Sequence, residues 1–401
     1  MSYPRPTRLA STNNLKAVWL RSKDNRHRGR ATGIDGIRPE QLNSRLDESM
    51  ARVRQRMLSP NFGFHLLRAN FILKDKGGIR VICVPTVEDR LIQRAALEYL
   101  NKGDKLAVRN NVSYGFHAGS GVEKAVRAAR NIRKGHRWAL KSDIHSFFNQ
   151  IRRDDLKQDV ARKLGNRSVV PLLFSAIDTE IKLEGRGDEK RLTAAGIKKG
   201  LGLRQGMPLS PILSNVVLRD FDKGIVRANL NMVRYADDFV IFCDSESECE
   251  SALHLVTKLL GERGHTVPSL GPDSKTMICA PHQPIEFLGF DITPEGNTYK
   301  VIAPPRAMDR VIELCAPFRS FATCQEEWIT LGVALQSLKA KLSSFANSYR
   351  IATNFGALKS HTNNCKRETI TRLLTDFLGV DVVQSLSEEE LNFLDIGSDD
   401  Q

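Results

Sequence analysis

Long apolar runs are missing from this 401-residue chain. None reaches 18 residues, about the length a membrane-crossing helix needs. No apolar leader peptide opens it either. These absences predict a soluble, cytoplasmic protein with no membrane partner. CxxC pairs are absent too. The seven cysteines (Cys83, Cys243, Cys249, Cys279, Cys315, Cys324 and Cys365) are scattered, which argues against a zinc framework or a disulfide scaffold and predicts reduced, mostly buried thiols. The last 21 residues lack Lys and Arg altogether and carry seven acids: Asp381, Glu388, Glu389, Glu390, Asp395, Asp399 and Asp400. Net charge is +14, so the other 380 residues carry +21. So basic a body implies a polyanionic partner. No basic amphipathic helix with aromatic anchors stands out, which favours nucleic acid over a membrane surface. The length suggests two or three domains with ample core.

What is present is organised around Arg234-Tyr235-Ala236-Asp237-Asp238-Phe239-Val240-Ile241-Phe242. Two adjacent aspartates sit between apolar runs, which predicts a β-hairpin with the carboxylates at its tip. Side-by-side carboxylates repel unless a cation lies between them. A solvated Asp-Asp turn is the plain alternative, but such a turn has no need of apolar walls. A second stretch, Trp138 to Phe148, predicts a strand ending in Asp143 followed by a turn with paired aromatics, Phe147 and Phe148. A strand-end aspartate plus a hairpin-tip pair suits two-metal phosphoryl transfer, in which carboxylates hold two Mg²⁺ about 3.5–4 Å apart.

Together these stretches resemble reverse transcriptases of the group II intron and retron type. Tyr235-Ala236-Asp237-Asp238 is similar to that family's catalytic hairpin, and Asp143 to its third metal ligand. The resemblance implies two Mg²⁺, with Mn²⁺ as the substitute, on Asp143, Asp237, Asp238 and the Ile144 carbonyl. It extends over about residues 30–350. Thr32 to Ile37 resembles the family's N-terminal extension motif, a weak signal alone because Gly-x-Asp-Gly is common in turns. The segments 71–74 and 79–84 resemble the fingers hairpin, which implies that Lys74 and Arg80 grip the triphosphate. An ordinary charged hairpin would read the same. Thr86 is positioned to cap the next helix, with Asp89 three residues on. Ser113 to His117 departs from the pattern, because relatives usually carry Arg where His117 stands. Gly200 to Pro211 resembles the template and nucleotide platform, with Gln205 supplying an amide and Gly206 letting backbone approach a base pair. Phe148, five residues after Asp143, falls where relatives place an aromatic under the incoming sugar. Lys275, on the next strand, falls where a Lys can protonate the leaving pyrophosphate. Phe287, Leu288 and Gly289 resemble the primer-grip hairpin, paired with 299–302 across a turn at 294–296.

Periodicity supplies the helices. One spans 40–58, with Leu42, Leu46, Met50, Val53 and Met57 on one face and Arg45, Arg52, Arg54 and Arg56 elsewhere, a solvated face. Another spans 121–137, where Lys124, Arg127, Arg130, Arg133 and Arg137 form a basic stripe suited to a phosphate backbone or to solvent. A polar break interrupts the mostly helical 151–195 at 184–191. Helical residues including Trp328, Leu331, Leu335, Leu338, Leu342 and Phe345 fit a three-helix thumb.

The expected fold is α+β, a right-hand polymerase with fingers, a palm with an antiparallel sheet carrying helices on one face, and a helical thumb. Residues 1–110 would form the N-terminal extension and fingers, 111–300 the palm (with fingers helices within 111–200), 301–380 the thumb and 381–401 an acidic tail. The implied activity is RNA-directed DNA synthesis from dNTPs on an RNA template with a primer strand. No maturase or endonuclease segment follows, which resembles bacterial retron or defence-associated enzymes that copy a dedicated non-coding RNA against phage. The alternatives are a catalytically silent RNA-binding or maturase-like protein, an intron-derived enzyme without a defence role, and an RNA-dependent RNA polymerase.

Overall fold

Some helices open on local side-chain signals in the computed structural model, which describes residues 4–22, 24, 32–74, 77–117, 119–272 and 274–394. The basic run at 26–30, the turn residues Asp75 and Lys76, and the tail acids Asp395, Asp399 and Asp400 lie outside the described residues. α1 (Thr12–Arg21) opens at Ser11, whose hydroxyl accepts from the Asn14 amide. α2 (Pro39–Ser44) and α3 (Leu46–Leu58) replace the single helix expected over 40–58, because Arg45 at φ −129° leaves the helical region. β1 (Arg68–Leu73) and β2 (Ile79–Val84) pair antiparallel, with Phe71 opposite Val81. α4 (Val87–Asn101) starts at Thr86, whose hydroxyl accepts from the Asp89 amide at 3.1 Å. Asp89 and Glu88 are buried and draw Arg56 and Arg52 to 2.5 and 2.7 Å. The arginines of α3 are therefore not a plain solvated face, since a buried carboxylate needs such partners.

The chain continues through α5 (Val122–Arg133), β3 (Trp138–Asp143), α6 (Phe147–Gln150), α7 (Arg153–Leu164), α8 (Val170–Asp178) and α9 (Asp188–Ala194). α9 begins inside the stretch expected as a polar break. Phe147 and Phe148 lie on the short helical turn α6, where a turn was expected. Next come α10 (Ser210–Arg227), β4 (Asn231–Tyr235), β5 (Asp238–Cys243), α11 (Glu246–Gly261) and β6 (Met277–Cys279), then β7 (Ile285–Phe287), β8 (Phe290–Glu295) and β9 (Thr298–Ile302). α12 (Pro305–Cys315), α13 (Phe321–Glu326), α14 (Leu331–Ser348), α15 (Phe355–Leu378), α16 (Val380–Gln384) and α17 (Glu388–Phe393) complete it. No helix among the described residues is long and apolar enough to cross a membrane. All seven cysteines are buried, and no disulfide joins them among the described residues.

The chain divides into two units, residues 1–125 with 140–278, and residues 126–139 with 279–401. In the first, a four-stranded sheet runs in the order β4-β5-β3-β6. Every residue of β5 from Phe239 to Cys243 is buried. Successive strand residues face opposite ways, so both faces of β5 are covered, where helices on one face were expected. Phe221 of α10 meets Phe239 with ring centroids 6.1 Å apart. The β1–β2 hairpin joins this unit through the Cys83 amide, which donates to the Gln205 carbonyl at 2.7 Å. At the adjoining Gly206, φ is 107° and a Cβ would lie 2.3 Å from the Cys83 carbonyl oxygen. The glycine is thus required by the protein's own strand, whereas a base pair was the reason expected.

In the second unit β7, β8 and β9 form an antiparallel sheet, and α12, α14 and α15 pack on one another. The partner of β7 is β8, with Phe287 opposite Phe290; β8 pairs in turn with β9. The β7–β8 connection is a two-residue turn with φ 51° at Leu288 and 86° at Gly289, the mirror-image turn suited to twisted hairpins. Arg133 corrects the expected basic stripe. It is wholly buried, donates to the carbonyls of Ile292, Gln283 and Ala280 at 2.8, 2.6 and 3.2 Å, and stacks on Tyr299. Trp328 is not in a helix as expected but follows α13 with φ 53° and stands almost fully exposed.

Candidate active site

Two short connections bring the aspartates together. Tyr235 pairs with Asp238 across the β4–β5 hairpin, so Ala236 and Asp237 form its tip, with Ala236 at φ 57°. Asp143 closes β3, and the next residue, Ile144, donates its amide to the Asp237 carbonyl at 3.1 Å. That bond ties the strand end to the hairpin tip. On the other side of β3, the hydroxyls of Ser142 and Thr276 meet at 2.6 Å, which fixes the segment bearing Lys275 beside Asp143. The Lys275 ammonium bonds Asp143 Oδ2 directly.

The electrostatics follow from this crowding. Asp238 stands at the surface of the hairpin, yet loss of hydration, reinforced by the charges of Asp237 and Asp143, pushes its carboxyl up to about 6. Burial and the Asp143 charge raise Asp237 as well, against the pull of its backbone hydrogen bond, Lys275 and Arg80. Burial works against the Lys275 ammonium, but the Asp143 hydrogen bond and the fields of all three aspartates outweigh it, so its pKa is raised.

A cavity of about 330 Å³ opens on these groups. Its lining includes Asp143, Ile144, Asp237 and Lys275 together with Lys74, Arg80, Phe148 and Gln205. The candidates for metal, triphosphate, sugar and base contact therefore share one space. Asp238 and Gly206 are not on its wall. Phe147 is buried and packs edge-on against His265, with centroids 5.1 Å apart, while Phe148 is half-exposed. Both rings line the cavity, and Phe148 is the more exposed of the two.

Among the described residues, no three acidic, His or Cys side chains already close on one point; the Asp143 carboxylate is turned to Lys275 instead. The residues nonetheless fit a divalent cation. Asp143 Oδ1 is buried without a hydrogen-bond partner among the described residues, and hard cations take such carboxylate oxygens.

The remaining candidates lie elsewhere on the chain. Lys124 and Arg127 on α5 are exposed, and Arg130 is half-buried and bonds Asn131. Phe287 is buried, so its ring is closed to the primer-strand contact expected of it; Leu288 and Gly289 reach the surface at the turn. Sequence reasoning missed Arg234, a fully buried charge beneath the hairpin. The available signal was an arginine directly after the apolar residues Met232 and Val233.

Comparison with known proteins agrees with this arrangement. The family model described as reverse transcriptase (RNA-dependent DNA polymerase) matches residues 72–292, more than half of the chain. The chain belongs to the reverse transcriptase family. The fold is accordingly of the α+β right-hand polymerase class. Over 200 residues the chain is 28% identical to protein YkfC of Escherichia coli, covering 48% of this chain and 49% of YkfC. Against the group II intron-encoded protein LtrA of Lactococcus lactis the identity is 22%, over 61% of this chain and 40% of LtrA. Against the retron Ec73 reverse transcriptase of Escherichia coli it is 24%, over 52% and 60%. The chain thus spans about half the length of these relatives.

His265 generates a pH prediction. Burial, with Arg152 and Arg263 nearby, holds its imidazole down at about 4, against 6.5 for the free side chain. Between those values the unfolded chain binds more protons than the folded one, so stability rises with pH across the window. The contribution is complete above pH 6.5 and disappears toward pH 4, about 3 kcal/mol in all. Urea unfolding from pH 7 to 4 measures it. His265→Gln should flatten that part of the profile; an unchanged slope refutes the assignment.

Proposed function

We propose that this protein is an RNA-directed DNA polymerase acting by nucleotidyl transfer from dNTPs to a primer on an RNA template. The observation that carries the reading is the single cavity shared by Asp143, Asp237, Lys275, Lys74, Arg80 and Phe148. Lys74 and Arg80 neutralise the triphosphate. The primer 3′ oxygen attacks the α-phosphorus, the bond to the bridging oxygen breaks, and pyrophosphate leaves. Lys275, kept protonated by the aspartates, holds a proton on Nζ for that leaving group. Asp143, Asp237, Asp238 and the Ile144 carbonyl would hold two Mg²⁺, or Mn²⁺, which supply charge neutralisation and favour an ionised 3′ oxygen. Catalysis is otherwise positioning. Phe148 excludes a ribose 2′ hydroxyl, which its ring offers no hydrogen bond.

The proposed template is a dedicated structured non-coding RNA, and the proposed setting is bacterial defence against phage. The +21 body supports a tightly held polyanion, and the similarity to a retron reverse transcriptase supports an RNA of its own. A silent RNA-binding protein would not need all three carboxylates.

Primer extension on an RNA template tests the activity. Asp237→Ala or Asp238→Ala should lower dNTP incorporation by at least about 10³-fold with RNA binding unchanged. In the same assay, Phe148→Ala should admit ribonucleotides while dNTP use survives, and Phe147→Ala should lower stability without changing sugar choice. Residual synthesis by the aspartate variants sinks the site assignment, and unchanged selectivity in Phe148→Ala sinks the sugar gate.

Sequencing of copurified RNA tests the template. One structured species should dominate, with affinity falling steeply as salt rises because each neutralised phosphate releases counterions. Random cellular RNA with flat salt dependence contradicts a dedicated template.

A further inference from the structure

Arg234 sits on β4, one residue before the hairpin tip segment begins at Tyr235, and is 0% exposed. A guanidinium carries five N–H donors in a fixed fork, and all five are taken. Nε and Nη2 donate to the two carboxylate oxygens of Asp222 at 2.7 and 2.5 Å. The second Nη2 hydrogen goes to Ser113 Oγ at 3.0 Å. Nη1 donates to Asn215 Oδ1 at 3.2 Å and to the Ala236 carbonyl at 2.7 Å. The last of these reaches the tip of the hairpin itself.

The tip needs such a hold. Ala236 has φ 57°, a left-handed value that residues with a side chain disfavour. Gly115 presses on it from the other side, where a Cβ would lie 2.8 Å from the Ala236 nitrogen. The Gly115 carbonyl in turn accepts from Asn215 Nδ2 at 2.8 Å, and Asn110 Nδ2 donates to Asp222 Oδ2 at 2.9 Å. The backbone of Arg234 is clamped as well. Its amide donates to the Val112 carbonyl at 2.7 Å, and its carbonyl accepts from the Tyr114 amide at 2.8 Å. The Arg234 side chain thus joins α10 to the hairpin, and its side chain and backbone together hold the 110–115 segment.

An ion pair buried this deeply contributes little net stability relative to apolar residues of similar size, whereas removing one partner is strongly destabilising. Its use here is geometric. We propose that Arg234 is a positioning residue for nucleotidyl transfer: by holding the Ala236 carbonyl and Asp222 at once, it fixes the backbone that presents Asp237 and Asp238. The proposal rests on the polymerase reading for its kinetic consequence, but not for its effect on the hairpin.

Two variants avoid a simple failure to fold. Arg234→Lys keeps the charge but loses the fork. The double variant Arg234→Gln with Asp222→Asn removes both charges, so neither is left buried alone. Both are assayed as full-length protein, below their unfolding midpoints, with single-turnover dNTP incorporation on a primed RNA template. Hydrogen exchange of the hairpin peptide is followed in parallel. Both variants should lose about 10²-fold in the incorporation rate, with the dNTP KM within about threefold of the parent. Exchange at the hairpin amides should quicken while that of α4 stays as in the parent. A lowered unfolding midpoint with unchanged rate and unchanged hairpin exchange reduces Arg234 to a structural residue and overturns the proposal. If the parent itself incorporates no dNTP, the polymerase reading fails, and hairpin exchange alone then decides the role of Arg234.

Discussion

Carboxylates crowded together away from bulk water repel one another, and much of the first unit is arranged around that repulsion. Burial, reinforced by the charges of Asp237 and Asp143, pushes Asp238 up to about 6, and burial with the Asp143 charge raises Asp237. A fold seeking stability alone would separate them. Here a strand end and a hairpin tip are instead tied by sheet pairing of β3 with β5 and by a backbone bond from Ile144 to Asp237. The Lys275 ammonium on Asp143 provides part of the missing positive charge. Asp143 Oδ1 has no hydrogen-bond partner among the described residues, which leaves an oxygen available to a cation.

Holding mutually repelling groups in place requires rigidity beneath them. The buried strand β5 supplies an apolar foundation, and the Arg234 fork supplies a polar one. Besides Asp143 and Asp237, the cavity wall carries the cations Lys74 and Arg80 and the half-exposed ring of Phe148. Acidic and basic walls facing one space suit a ligand that is itself anionic and metal-bridged, which describes a nucleoside triphosphate. The family membership and this chemistry point the same way, though they are independent observations.

Much of the site was legible in the sequence because its signals are local. Asp237 and Asp238 between apolar runs, Asp143 at a strand end, and Thr86 three residues before Asp89 each state their structure within a few positions. What was not legible depends on partners distant in the chain. Arg133 looked like one member of a basic stripe, but carbonyls near residues 280 and 292 bury it. Gly206 looked like room for a base, but the Cys83 carbonyl needs the space. Phe287 fell in a recognisable motif, yet strand alternation turns its ring inward. Arg234 flanks the hairpin motif in sequence, and only the fold shows that Asp222, Asn215 and Ser113 converge on it.

The most direct test of the central claim is anomalous scattering from crystals of the protein soaked in Mn²⁺ with a primed RNA template and a non-hydrolysable dNTP analogue. The account predicts Mn²⁺ peaks held by the side chains of Asp143, Asp237 and Asp238, with the analogue's triphosphate against Lys74 and Arg80. Crystals in which Asp143 still bonds only Lys275, with the metal and triphosphate bound elsewhere, would contradict it.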